Sequence, residues 1–144
     1  MLSLREISDR LEIQQLLIDY ADAIDTNDMA KLDNIFTPDA FVSYTPYGGR
    51  EGRYSELRDW LRESLSAFSA TQHLVANPDI RIDGDVATGK VMCFNPLVAK
   101  SGDAPNGVMF LGLWYKDCYA RTPDGWRITA REEIPSWDMN LKLP

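Results

Sequence analysis

The sequence predicts an α+β domain in which helices from the N-terminal half cover one face of a sheet built by the C-terminal half. Apolar residues recur at helical spacing up to about Phe68 and alternate at strand spacing from Thr71 onward. The strand-like runs are separated by short turns, of which Asp83-Gly84 is a two-residue hairpin signal. At 144 residues the chain has the length of one domain and can bury a sizeable core. No internal repeat or low-complexity segment divides it, so 1–144 is read as a single domain.

Residues 3–25 form the first expected helix, because Ile13, Leu16, Leu17, Tyr20, Ala21 and Ile24 make one apolar stripe. Tyr20 lies within the stripe and should face inward. Asp25 lies at its edge, in the last turn, where the helix dipole disfavours a carboxylate. Thr26-Asn27-Asp28 breaks this helix and caps a second one expected to run through Phe36. Thr37-Pro38-Asp39 ends it, and residues 40–45 read as a strand with Ala40, Val42 and Tyr44 on one face. Gly48, Gly49 and Gly52 mark a loop. Ser55 is expected to cap a third helix with Leu57, Trp60, Leu61, Leu65 and Phe68 as its buried stripe.

Thr71 to Asn77 reads as the start of a strand. Longer strands follow at roughly 86–98, 108–121 and 126–134, separated by a loop from Ser101 to Gly107 and a turn at Thr122-Pro123-Asp124-Gly125. The tail from Ile134 to Pro144 carries Trp137, Met139, Leu141 and Leu143 and is too apolar to hang free. It is expected to pack over a cavity mouth or a neighbouring subunit.

A net charge of −7 without any basic run argues against a nucleic-acid or anionic-membrane partner. No apolar stretch reaches transmembrane length and no signal-peptide core precedes the first helix, so a cytoplasmic location is expected. Cys93 and Cys118 fall in expected strands without Cys-x-x-Cys spacing, and each reads as a small buried hydrophobe. One histidine and two separated cysteines are too few soft ligands for zinc, so neither a metal nor a cofactor is expected.

The single histidine, His73, stands in Thr71-Gln72-His73-Leu74. With Tyr20 and Asp25 it would supply an imidazole, a phenol and a carboxylate, enough for general acid/base chemistry. Read singly, each residue has a plainer role: a core aromatic, a helix-end carboxylate and a packed histidine. Met92, Phe94, Phe110, Trp114 and Trp137 could line an apolar pocket, although an ordinary core is the favoured reading for at least half of them. A pocket that apolar would suit a hydrophobic ring system. No phosphate-binding glycine loop or nucleophile elbow is present.

The order of these elements resembles the SnoaL-like branch of the NTF2-like superfamily, which includes scytalone dehydratase and bile-acid dehydratases. The resemblance runs from about Ile7 to Glu133. It rests on Tyr20-Ala-Asp-Ala-Ile-Asp25-Thr-Asn-Asp28, Leu32, Ile35-Phe36, Pro38-Asp39-Ala40, His73, and Gly125-Trp126-Arg127-Ile128 with Arg131. It implies a cone: a curved antiparallel or mixed sheet wrapped around a pocket and covered by three helices. It further implies His73, Asp25 and Tyr20 as catalytic residues and Tyr44 as a substrate-polarising phenol. Asn95, Arg131, Trp114 and Phe110 are further candidates for contact with substrate. Scytalone dehydratase has a tyrosine immediately before the aspartate, where this chain has Ile24. It also has a second histidine on a later strand, and Asn95 is the nearest counterpart here. The implied activity is a cofactor-independent dehydratase or isomerase acting on a small hydrophobic carbonyl compound. The alternative is a non-catalytic ligand binder or partner subunit of the same fold. A homo-oligomer, dimer or trimer, is expected in either case.

Overall fold

A computed structural model of the chain describes residues 1–100 and 107–142. Helix α1 (Leu4–Asp25) starts at Ser3, whose hydroxyl accepts the Glu6 amide at 3.1 Å, and buries Ile13, Leu16, Leu17, Tyr20, Ala23 and Ile24. Its end is sharply defined. Asn27 takes a left-handed φ of 54°, and the Asn27 and Asp28 amides fold back to the Ile24 and Ala23 carbonyls. That is the Schellman arrangement, with asparagine in the position glycine usually fills.

The other elements are α2 (Met29–Leu32), β1 (Phe36–Ser43), a 3₁₀ turn (Thr45–Tyr47), β2 (Glu51–Arg53) and α3 (Tyr54–Leu65). They continue with β3 (Phe68–Thr71), β4 (Leu74–Asp83), β5 (Val86–Ala99), β6 (Gly107–Thr122) and β7 (Gly125–Lys142). One sheet contains all seven strands in the order β2-β1-β7-β6-β5-β3, with β4 continuing the β3 edge of β5. Among the described residues only β1 and β7 pair in parallel, so the sheet is mixed. It curls around the face covered by the helices, giving the expected α+β cone. Among the described residues, no helix is long and apolar enough to cross a membrane.

Several boundaries differ from the sequence reading. The second helix stops at Leu32 instead of reaching Phe36. Asp33 and Asn34 are weak helix formers, and the Asn34 side chain bonds the Ala30 carbonyl, closing the turn. Phe36 instead opens β1 and stacks on Tyr54 with ring centroids 4.8 Å apart. Pro38 lies in the register shift between Phe36 and Phe41, a site that tolerates its missing N–H. The cap of α3 is Arg53, with Ser55 inside the first turn, and Phe68 belongs to β3. Gly52 lies in β2, within the segment expected as a loop.

Cys93 is buried but Cys118 is exposed, because it alternates with inward Asp117 and Tyr119 on β6. The tail borders an apolar cavity through Asn140, Leu141 and Lys142, as a strand of its wall. Through Lys142 it continues β7 along β6, with Trp137 and Met139 about half exposed. Leu143, Pro144 and the loop at 101–106 fall outside the described residues.

Candidate functional site

Asp25 and His73 meet because of two interruptions in regular structure. The Schellman turn ends α1 immediately after Asp25, leaving that carboxylate at the helix tip. Opposite it, the sheet edge breaks between β3 and β4 at Gln72 and His73. The break faces Pro96 of β5, which accepts from the Gln72 amide at 3.1 Å but has no N–H to return. His73 is therefore released from the ladder and turns toward the helix tip. The sequence reading placed it at the start of a strand; it stands in the gap between two.

The carboxylate is fully engaged. Asp25 Oδ1 accepts from His73 Nδ1 at 2.6 Å and from Thr71 Oγ1 at 2.9 Å, and Oδ2 accepts the His73 backbone amide at 2.9 Å. Burial would raise the Asp25 pKa, but the hydrogen bonds from His73 and Thr71 outweigh it and hold the group below the ordinary carboxylate range. In the neutral imidazole, the ionised Asp25 holds the ring proton on Nδ1 and leaves the Nε2 lone pair free. Nε2 makes no hydrogen bond among the described residues, and the side chain is only 5% exposed.

Tyr20 is buried beside the dyad, its ring edge-on to the His73 ring at 6.4 Å, and its hydroxyl lies 3.2 Å from that of Tyr44. Burial pushes both phenols up, so they remain hydrogen-bond donors across the neutral range. Tyr44 comes just after β1, at the head of the 3₁₀ turn.

Behind Tyr20 stands Arg131, fully buried. The structure puts this candidate for substrate contact in the interior, already ion-paired within the protein. Its guanidinium carbon lies 4.1 Å from the Tyr20 ring centroid and 4.0 Å from that of Tyr115. Asp117 holds it bidentately, at 2.8 and 2.6 Å, and Tyr119 donates to the same carboxylate. Arg131 Nη1 and Asn95 Oδ1 are buried without a hydrogen-bond partner among the described residues. Two unpaired polar atoms in an aromatic interior are a costly arrangement unless something binds them.

Phe110 and Trp114 are not part of this constellation. Along β5 and β6 the inward positions are Cys93, Asn95, Leu113 and Tyr115, so Phe94, Phe110 and Trp114 face the other way. Phe94 stacks with Phe110 and Trp137 on that outer face, and Lys90 lies over Trp114. The residues missed by the sequence reading are Thr71, Tyr115 and Asp117. Tyr115 and Asp117 had a usable signal, since strict alternation from buried Leu113 puts them inside and Trp114 outside.

An apolar cavity of ≈ 390 Å³ opens at this end of the sheet, lined by Phe68, Leu97, Ala99, Val108, Met109 and Leu141. Leu97 is the cross-strand partner of Thr71, but neither His73 nor Asp25 lines the cavity. Among the described residues, no three His, Cys, Asp or Glu side chains converge as metal ligands would.

The chain is 52% identical over 133 residues to the protein Rv2910c of Mycobacterium tuberculosis, covering 92% of this chain and 89% of the relative. The NTF2-like superfamily protein of Salmonella enterica superposes with a TM-score of 0.78 at 18% identity, covering 90% of this chain and 92% of the other. A type 2 hexachlorocyclohexane dehydrochlorinase, LinA, superposes with a TM-score of 0.82 at 18% identity, over 94% of this chain and 90% of that one. Both likenesses establish the cone. The profile of the SnoaL-like domain matches residues 5–132, nearly the whole chain, and the protein belongs to the SnoaL-like family.

Proposed function

We propose that this protein is a cofactor-independent lyase of the dehydratase type. It would act by general acid/base catalysis on a small hydrophobic carbonyl compound, cyclic or of polyketide or steroid-like build. The observation that carries this reading is the His73–Asp25 pair: an imidazole locked by an ionised carboxylate with its second nitrogen uncommitted. In this reading Nε2 removes the acidic proton beside the carbonyl. Tyr20 and Tyr44 donate to the oxygen on which charge develops, with the unpaired Arg131 Nη1 nearby as a further donor. Loss of water then completes a dehydration; return of the proton to another carbon completes an isomerisation. The aromatic and aliphatic side chains around the dyad, Tyr20, Tyr115 and Phe36 among them, suit the substrate's hydrocarbon part. The name of LinA fits the same logic, since elimination of an acid and elimination of water both begin with removal of a C–H proton.

Base strength at His73 can be tested without the natural substrate. 5-Nitrobenzisoxazole opens when one C–H proton is removed and releases a coloured phenolate. Wild type should accelerate this, and His73→Ala should lose ~10²–10⁴-fold with its circular dichroism unchanged. Full activity in His73→Ala would sink the mechanism and favour the ligand-binding reading.

We also propose that the protein is a homo-oligomer joined through the outer face of β5–β7. Phe94, Phe110, Trp114, Trp137 and Met139 form an apolar surface there, of a kind that isolated monomers seldom expose.

A further inference from the structure

Glu133 is a carboxyl on the inner wall that the dyad does not use. It lies two residues beyond Arg131 on β7, on the same concave face, and opposite Tyr115 in the β6–β7 ladder. Its charge, when present, would raise the phenols of Tyr20, Tyr44, Tyr47 and Tyr115 and the Cys93 thiol, and the Arg131 cation pulls the Glu133 carboxyl down. Tyr20 links this wall to the dyad: its ring meets His73 at 6.4 Å on one side and Tyr115 at 5.6 Å on the other.

We propose that Glu133 is the acid of this site, giving its carboxyl proton to a departing hydroxyl while His73 takes the proton from the neighbouring carbon. The substrate class is then a β-hydroxy carbonyl compound. The inference rests on the dehydratase reading and extends it. Nε2 of His73 accepts the proton α to the carbonyl, and that C–H electron pair becomes the new Cα=Cβ bond. The Cβ–O bond breaks with its pair on oxygen, and the Glu133 proton converts the leaving hydroxide to water. The site is left as imidazolium and carboxylate, and transfer of one proton between them through solvent restores it.

The division of labour follows from acidity. Hydroxide leaves poorly without a proton. Tyr20 and Tyr44, pushed up by burial, can donate hydrogen bonds but are too weak as acids to give the proton away. Burial pushes the Glu133 carboxyl up to about 7 against the opposing pull of Arg131, so near neutral pH it still holds a transferable proton.

The test compares wild type with Glu133→Gln on two reactions and on stability. Dehydration of 4-hydroxy-4-phenylbutan-2-one, followed by the absorbance of the enone, should fall at least ~10²-fold in the variant. Opening of 5-nitrobenzisoxazole, whose phenolate leaves unaided, should fall far less than dehydration does. Equal dehydration by both proteins, or no dehydration alongside His73-dependent ring opening, overturns the role of Glu133. Ring opening that ignores His73 instead overturns the general-base reading.

Urea unfolding supplies a readout free of substrate. A carboxyl raised in the folded state contributes stability below its unfolded pKa of about 4.3 and loses it as pH rises through the folded value. Wild type should therefore lose stability relative to Glu133→Gln between about pH 4.3 and about pH 7. A flat difference over that window means that Glu133 ionises normally, and the proposal fails.

Discussion

Asp25 ends a helix, where the partial negative charge of the last carbonyls disfavours a carboxylate. Thr71 and both donors of His73 offset that cost, so the residue is stable only as part of the dyad. Its depressed pKa gives a signed expectation. The stability from these bonds is present above about pH 3.9, the unfolded carboxyl value, and is lost as pH falls through the lower folded value. Asp25→Asn should remove that acid-limb slope in urea unfolding and slow the opening of 5-nitrobenzisoxazole, because an amide can stabilise the wrong imidazole tautomer. The Arg131–Asp117 pair, fully buried, makes a different prediction. Asp117→Ala should cost about 3–5 kcal/mol in chemical denaturation, because it strands a buried guanidinium. Replacing Arg131 and Asp117 together with apolar residues should cost less than the single change, and a double-mutant cycle measures the difference.

At the scale of elements, two short features position the dyad: the Asn27 turn closing α1 and the gap between β3 and β4 opposite Pro96. Asn27→Ala should cost about 1 kcal/mol, since alanine lacks asparagine's tolerance of positive φ and loses the bond from Nδ2 to the Arg62 carbonyl at 3.2 Å. Asn27→Gly should cost less, because glycine takes the left-handed conformation freely. Thermal melts of the two variants give that order directly. The helix end was legible in the sequence, because Thr26-Asn27-Asp28 is a stop-and-restart signal in local chemistry. The gap at His73 was not, because its cause is a proline on another strand that only the folded register brings opposite. For the same reason Tyr20 and Asp25 could be read from one helical period, whereas the partners of Arg131 depend on pairing between β6 and β7. Phe110 and Trp114 fall outside the site for a simpler reason: strand alternation puts them on the face opposite Leu111, Leu113 and Tyr115.

Across the whole molecule, the curled sheet has two apolar faces, of which the helices cover one. The inner face is closed by α1 and α3 around the Tyr20, Tyr44 and Tyr115 cluster. On the outer face the Trp137 indole lies directly over Gly112, where an added Cβ would fall 2.2 Å from Nε1. Phe94, across from Gly112 on β5, completes the stack. Trp137 remains 49% exposed and Met139 53%, so this aromatic surface is built but not covered within one chain. A second copy of the same face is the simplest cover, because antiparallel strands present the same pattern after a two-fold rotation. A trimer would use the same residues around a three-fold axis. Trp137→Glu places a charge at the centre of this surface and should shift the mass measured by light scattering to that of one chain. Since Trp137 faces away from His73, ring opening per chain should stay within a few-fold of wild type. An unchanged mass in Trp137→Glu would show that the subunits, if they join, do so elsewhere. A monomeric wild type would refute the oligomer itself.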